Sequence, residues 1–483
     1  MKTIIQRKRD DLFSFSLTRF LFKNKYFLFI LRLTITFLFF YAIIFGFIYP
    51  TKEENLFTTA LFWSLFWAFF MVISLSTLGR VFCGICPHGF IGKYITKIGF
   101  KNKIPKKLAN PFIGLGVLLC LYWLPIFLFP GIYTSPYNTA IFFTILTILS
   151  FIFFYLYDDM AYCKNICPLG SVTKSFSKVS FTKLETYKEG CSTCKTFDCA
   201  KACKYDLKPF TFLKKNSMED CTLCMDCATS CDNVVFSLKK PSSLLFNNFK
   251  IQKVEIWTIL LLTSILSFAM TFNHALNRSA ISEDFIWNKT ANYIKSLTDI
   301  KFISISDFTV LVYAIIFVLS TYTIGIYIAS KIMKVEFGKI FYSLGYAIAP
   351  LFIIGGLSHI GEFFFLSYAS NIVNGFNQAF FLGFENIQPL ATKKDSWLFV
   401  FMIFPHIAYL WAFVLMGIRL KLIDTKKSLK ILAFPFASAL IIFYMGLNFY
   451  TGYVFKTYGV NMGQHNHTNN QIKIENKWIN NIF

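Results

Sequence analysis

The sequence predicts an all-α polytopic membrane protein interrupted by one small soluble insert. Three observations predict it. Of 483 residues, 55% are hydrophobic and only 15% charged; the mean hydropathy is +0.54; and apolar runs of about 20 residues, the length that crosses a hydrocarbon core, recur along the chain. An ordinary soluble domain is more charged than this. The runs fall near 27–49, 58–79, 111–133, 137–157, 255–273, 307–331, 341–372, 396–418 and 429–454, giving about nine transmembrane helices by length and hydropathy. The N-terminus is basic and is followed by a full-length apolar run with no small-residue cleavage site, so the first helix is expected to stay uncleaved.

The net charge of +23 does not point to nucleic acid, because the lysines and arginines concentrate in particular loops beside the spans, as the positive-inside rule requires. MKTIIQRKR, GKYITKIGFKNKIPKK, the block from 160 to 250, KIMKVEFGK and RLKLIDTKKSLK are basic, whereas TKEEN and SPYN are not. The expected topology is that of a multi-pass protein of a bacterial inner (cytoplasmic) membrane. Its segments are a cytoplasmic stretch at 1–25, a four-helix membrane region at 26–179, a cytoplasmic insert at 180–245, a five-helix membrane region at 250–456, and an external, periplasmic tail at 457–483.

All thirteen cysteines except Cys120 fall in loops that this topology places in the cytoplasm, where disulfides are rare. The insert reads CSTCKTFDCAKAC and then CTLCMDCATSC. The second run is C-x2-C-x2-C-x3-C, the bacterial ferredoxin spacing; the first has four residues where two are usual. Three thiolates on one tight loop can hold three irons of a 4Fe-4S cube, and in two-cluster ferredoxins the fourth comes from the other run. One cluster is therefore assigned to Cys191, Cys194, Cys199 and Cys231, the other to Cys221, Cys224, Cys227 and Cys203. Paired C-x2-C motifs also build zinc sites, but zinc has no use for third and fourth cysteines at these offsets. The insert is thus read as a small α+β two-cluster bacterial-type ferredoxin domain. Its departures from the pattern are the widened KTFD loop and the residues Lys204 and Asp232, which stand where proline often follows the last cysteine.

A further motif occurs twice. FCGICPHGFIGKYI after the second span is echoed by YCKNICPLGSVTKSF after the fourth, each with C-P-x-G after its second cysteine. The first half of the membrane region is a repeat of two hairpins in the same orientation, expected to be related by an axis along the membrane normal. That symmetry would bring Cys83, Cys86, Cys163 and Cys167 together as ligands of an additional iron–sulfur centre, with proline ending each helix by withholding an amide hydrogen. The alternative is four reduced thiols kept for packing, since free cysteine behaves as a small hydrophobe. Cys120 is read as packing.

With these motifs the chain resembles the membrane polyferredoxins associated with periplasmic nitrate reductase and nitrous oxide reductase, and the related accessory protein of cytochrome oxidase assembly. The resemblance covers roughly residues 25 to 240 and rests on Cys83, Cys86, Pro87, Cys163, Cys167, Pro168 and then the eight ferredoxin cysteines. It implies electron transfer in a respiratory or metal-handling system. The first loop departs from the family spacing, with two residues rather than three between its cysteines. About five further spans, no immunoglobulin-like tail and no flavin-attachment signature follow, so none of the three subgroups fits throughout.

Polar residues within spans are costly and mark candidate sites. His359, with Glu362 one turn on, and His406 on the next antiparallel helix are placed at matching depth. They could ligate haem b or copper or bond a quinone head, or each could satisfy a neighbouring group. Gly345, Gly355 and Gly356 allow close helix approach. Met462, His465 and His467 in the tail offer soft and imidazole ligands suited to copper, in a stretch whose composition also suits a polar terminus. His88 is expected to bond a backbone carbonyl or to tune the nearby centre; His274 begins an external loop and carries no reading by itself. The function expected is that of a membrane iron–sulfur electron carrier between a cytoplasmic or quinone donor and a redox partner protein at or beyond the membrane. The alternative is a redox-dependent copper-handling or cofactor-assembly factor.

Overall fold

The computed structural model describes residues 10–459 except 216, 217, 219, 299, 301 and 394. Met462, His465 and His467 lie outside the described residues. Among the described residues, nine helical stretches are long and apolar enough to span a membrane: Lys25–Ile48, Phe57–Leu78, Pro111–Leu128, Pro136–Leu156, Lys253–Arg278, Ile305–Met333, Phe337–Phe380, Ser396–Lys421 and Lys427–Tyr458. Each coincides with an apolar run of the sequence. The protein is a polytopic all-α membrane protein carrying a two-stranded sheet in its insert.

The chain divides into two compact units. The first comprises Met1–Leu119, Tyr133–Glu255 and Asn374–Phe384; the second comprises Cys120–Ile132, Ile256–Val373 and Glu385–Phe483.

In the first unit, buried Asn55 closes the hairpin between the first two spans. Its Nδ2 donates to Phe45 O at 3.2 Å, Tyr49 O at 3.1 Å and Thr58 Oγ1 at 2.9 Å, while its Oδ1 accepts from the Thr58 N–H at 3.0 Å. One side chain thus satisfies Tyr49 O and the Thr58 N–H, which the helix ends would otherwise leave orphaned, and adds a second donor to Phe45 O. The insert is framed by β1 (Thr182–Thr186) and β2 (Val234–Leu238), paired antiparallel with Thr182 opposite Leu238 and Thr186 opposite Val234. The N-terminal segment does not stand apart from the insert. Asp11 bridges to Ser237, the Leu238 N–H donates to Asp10 O at 3.0 Å, and Phe13 and Leu28 join Leu184, Leu223, Met225 and Phe236 in one core.

In the second unit the seventh stretch has 44 residues, which at about 1.5 Å per residue would reach roughly 66 Å, twice a hydrocarbon core of about 30 Å. It is not one straight helix. A 3-10 turn at Gly345–Ile348, a break at Ile354–Gly355 and a π turn at Phe364–Tyr368 divide it. Its last turns, from Asn374, belong to the first unit, where Gln378 Oε1 accepts from the Leu56 N–H at 2.7 Å and the Tyr41 hydroxyl donates to Ala379 O at 2.5 Å. The ninth stretch is interrupted at Ser438, three residues after Pro435, where proline withholds a helix hydrogen bond.

Lys178, just before β1, forms an ion pair with Glu255 in the first turn of the fifth span, both side chains being buried. Removing one member of a buried pair strands the other charge. Lys178→Met is therefore expected to lower stability by about 3–5 kcal/mol, and Lys178→Met with Glu255→Met by much less. Thermal unfolding in detergent measures both; equal losses would show that the pair is not what matters.

Candidate metal centres

The two C-P-x-G loops share one local design. In the first, helix Val81–Ile85 ends at Cys86, whose extended backbone (φ −60°, ψ 131°) caps helix Pro87–Ile98 with Pro87 in its first turn. In the second, Tyr162–Ile166 ends at Cys167 (φ −57°, ψ 120°), which caps Pro168–Phe176. Proline thus opens the following helix, where its missing N–H costs nothing, rather than ending the preceding one. The glycine of the motif follows from the same geometry. Cys167 Sγ accepts from the Gly170 N–H at 3.3 Å, and the Cys86 sulfur likewise faces the Gly89 N–H. A Cβ on Gly170 would stand 2.8 Å from Cys163 O. The extra residue between Cys163 and Cys167 is absorbed by a π turn where the first loop has an α turn. A π turn holds one more residue per hydrogen bond, so C-x3-C occupies the place that C-x2-C occupies in the other loop.

The loops meet. Cys83 Sγ lies 3.2 Å from Thr173 Oγ1 on the helix that the second loop opens. Burial raises the Cys163 thiol well above its ordinary range, and the neighbouring Cys167, Cys86 and Cys83 raise it further. Burial likewise pushes Cys86 up to about 11 and Cys167 up to about 12, with other thiols of the same four adding to both. Cys86, Cys163 and Cys167 can then ionise together only if positive charge is supplied, and bound iron would supply it. His88 is pushed down to about 4 by burial and bonds Thr147 Oγ1 at 2.9 Å, so it stands neutral beside the site and outside the thiol set.

The insert is built on an internal echo. Phe197 and Met225 both take left-handed conformations (φ 50° and 63°) immediately before the turns Asp198–Lys201 and Asp226–Ser230, which carry Cys199 and Cys227. Cys221, Cys224, Cys227 and Cys203 act on one another: burial and then its neighbours raise Cys227 well above the usual thiol range, Cys221 is pushed to about 12 and Cys224 to about 11. The second group joins Cys199 and Cys231, hydrogen-bonded to each other, with Cys191 alongside. That hydrogen bond raises Cys199 and lowers Cys231 to about 6. Cys194 is on the widened loop beside Thr196, at 3.9 Å.

Contacts the sequence did not announce join the first loop to the insert. A Cβ on Gly84 would lie 2.7 Å from Leu223 O and 3.0 Å from Thr222 O, so only glycine lets these two backbones touch. Arg32, buried in the first span, donates from Nε to Gly84 O at 3.0 Å, from Nη1 to Asp226 Oδ1 at 3.1 Å, and from Nη2 to Cys224 O. Tyr205 is buried with its hydroxyl near Cys163, Cys224 and Cys83, and Lys93 and Lys204 line the cleft that remains. An arginine in an apolar run was the available signal for Arg32; nothing in the pattern marked Tyr205.

In the second unit, His359 and His406 are not brought together. The His359 ring lies 5.7 Å from that of His274 and 4.1 Å from Phe363, centroid to centroid. His406 is exposed, with Nδ1 2.9 Å from Met402 O.

Fold and loops together define a polytopic helical membrane protein that binds 4Fe-4S clusters. A 4Fe-4S binding domain family model matches residues 59–107 and 139–185, the two hairpins with their Cys-Pro loops; the eight cysteines of the insert lie beyond the matched residues. An uncharacterized protein of Methanocaldococcus jannaschii is 30% identical over 178 residues, covering 33% of this chain and 72% of that protein. A second from the same organism is 27% identical over 162 residues, 32% of this chain and 61% of the relative. The Escherichia coli protein named "Putative electron transport protein YccM" is 28% identical over 228 residues, 42% of this chain and 62% of that one. No solved structure matches the chain. The chain belongs to the membrane-associated polyferredoxin-like 4Fe-4S family.

Gly170 and Gly89 hold equivalent positions with unequal room: the nearest atom to an added Cβ is 2.8 Å away at Gly170 and 3.6 Å at Gly89. Gly170→Ala is expected to lose iron from the Cys-Pro loops, and Gly89→Ala to retain it. Iron and labile sulfide per chain, measured after anaerobic purification, separate the two; equal retention would show that the second loop tolerates the displacement.

Proposed function

We propose that the protein is a membrane electron carrier with three 4Fe-4S centres. Their ligand sets are Cys83, Cys86, Cys163 and Cys167 at the helix ends; Cys203, Cys221, Cys224 and Cys227; and Cys191, Cys194, Cys199 and Cys231. The observation that carries this reading is the backbone contact of Gly84 with Leu223, clamped by Arg32, which sets the helix-end thiols directly against the insert. When bound, the clusters supply reversible one-electron transfer. The chain's own part is to hold twelve thiolates in fixed sets, exclude water from them, and surround them with N–H donors and cations.

Among the described residues no three His, Cys, Asp or Glu side chains converge on a single ion. The basic loops support a cytoplasmic insert in an inner membrane, and the Escherichia coli relative's name supports electron transport. The donor is then a cytoplasmic protein or the quinone pool, and the acceptor a partner in or beyond the membrane. A second reading, metal handling or haem binding in the second unit, is favoured by the His359–His274 pair, with His406, Met462, His465 and His467 as further soft or imidazole donors for copper.

Each Cys-Pro loop alone offers two thiolates, too few for a stable cube. Cys83→Ser with Cys86→Ser, Cys163→Ser with Cys167→Ser, and all four together should lose the same EPR signal, non-additively, while the insert's signals survive. Equal iron in wild type and the fourfold variant would show that the thiols only pack. Copper and haem quantified in the same preparations decide the second reading.

A reporter fused after Lys240 should lie in the cytoplasm and one at the C-terminus outside. Both on one side would refute the proposed orientation.

A further inference from the structure

Arg80 is the residue before the first Cys-Pro helix, set by the turn at Gly79 (φ 75°) that ends the second span. It is 4% exposed, and its Nε and Nη1 have no hydrogen-bond partner among the described residues. A buried guanidinium with idle donors is an unstable arrangement unless an anion belongs beside it. Nearby Asp220 is already held by Lys174, at 2.9 Å. The remaining groups that feel Arg80 are thiols of two different sets, Cys83 and Cys167 on one side and Cys221 on the other, together with Tyr205.

We propose that Arg80 is a positioning residue shared by two iron–sulfur centres, donating from Nε and Nη1 to sulfur atoms of the helix-end centre and of its neighbour in the insert, and holding both reduction potentials up. The inference rests on the three-centre reading above. Its physical basis is charge. A 4Fe-4S core with four thiolates carries net negative charge, and one more when reduced, so a fixed cation with N–H donors to sulfur favours the reduced form. The centre of Cys191, Cys194, Cys199 and Cys231 has no thiol under Arg80's influence among the groups just named, and serves as an internal control. Arg32 acts differently: its three nitrogens donate to Gly84, Cys224 and Asp226 oxygens, which fixes the contact, so its charge reaches the Cys224 thiol without a donor left over for sulfur.

The test uses the full chain, purified anaerobically in detergent, as wild type, Arg80→Gln and Arg80→Lys, with iron and sulfide assayed before an EPR-monitored redox titration. In Arg80→Gln the reduction equilibrium of two centres should fall by on the order of tenfold, about 59 mV for one electron, with the third unmoved. Arg80→Lys keeps the charge but loses the planar fork of donors, and should fall by less at the same two. Unmoved potentials in whichever variant retains its iron, an equal shift at all three centres, or loss of all three together would overturn the proposal. Fewer than three centres in the wild type would instead overturn the reading on which it rests.

Discussion

Thiols gathered away from water can ionise together only if positive charge is brought to them, and much of the first unit is arranged around that constraint. Cys86, Cys163 and Cys167 are each raised by burial and by other thiols of their own set. The same holds for Cys221, Cys224 and Cys227 in the insert. Backbone N–H groups at helix starts, Arg32 inside the first span and Arg80 at the turn that ends the second all supply positive potential where the thiols stand. The C-P-x-G motif is the compact form of this solution. Cysteine takes the cap, proline takes the first-turn position that needs no donor, and glycine presents its N–H to the sulfur without crowding the preceding carbonyl.

Duplication explains why two loops of different length can serve one place. A C-x2-C loop on an α turn and a C-x3-C loop on a π turn differ by one residue in sequence and end in the same cap. The π turn confines the insertion to one turn, so the following helix keeps its register with the site. The insert repeats the idea on a smaller scale, with Phe197-Asp198-Cys199-Ala200 echoed by Met225-Asp226-Cys227-Ala228 and both turns entered through a left-handed residue.

What was legible in the sequence follows from which signals are local. Hydropathy located the spans because each must be apolar over its whole length, and repetition exposed the Cys-Pro loops because the motif is contiguous. The N-terminal segment's place on the sheet and the Gly84–Leu223 contact were not legible, since they join residues far apart in the chain through backbone atoms that no side-chain pattern records. Arg80 stood in plain view beside the motif, yet its idle donors become visible only when the surrounding side chains are placed.

The histidines of the second unit show the same limit in a different solvent. In a soluble helix the polar face identifies the side turned from the core, so the phase of a residue around the axis can be read from its neighbours. A membrane span is apolar all round, and lipid and protein accept the same side chains. Depth can then be estimated from position along the run while rotation cannot. His359 and His406 were matched by depth. On Ser396–Lys421 the buried residues run through Pro405, Ala408, Tyr409 and Ala412, and His406 is one step, about 100° of helix rotation, from Pro405 on that stripe. It therefore faces out and bonds its own helix, while His274, overlooked as the start of a loop, still lies on the last turn of the fifth span and has the rotation that brings its ring to His359.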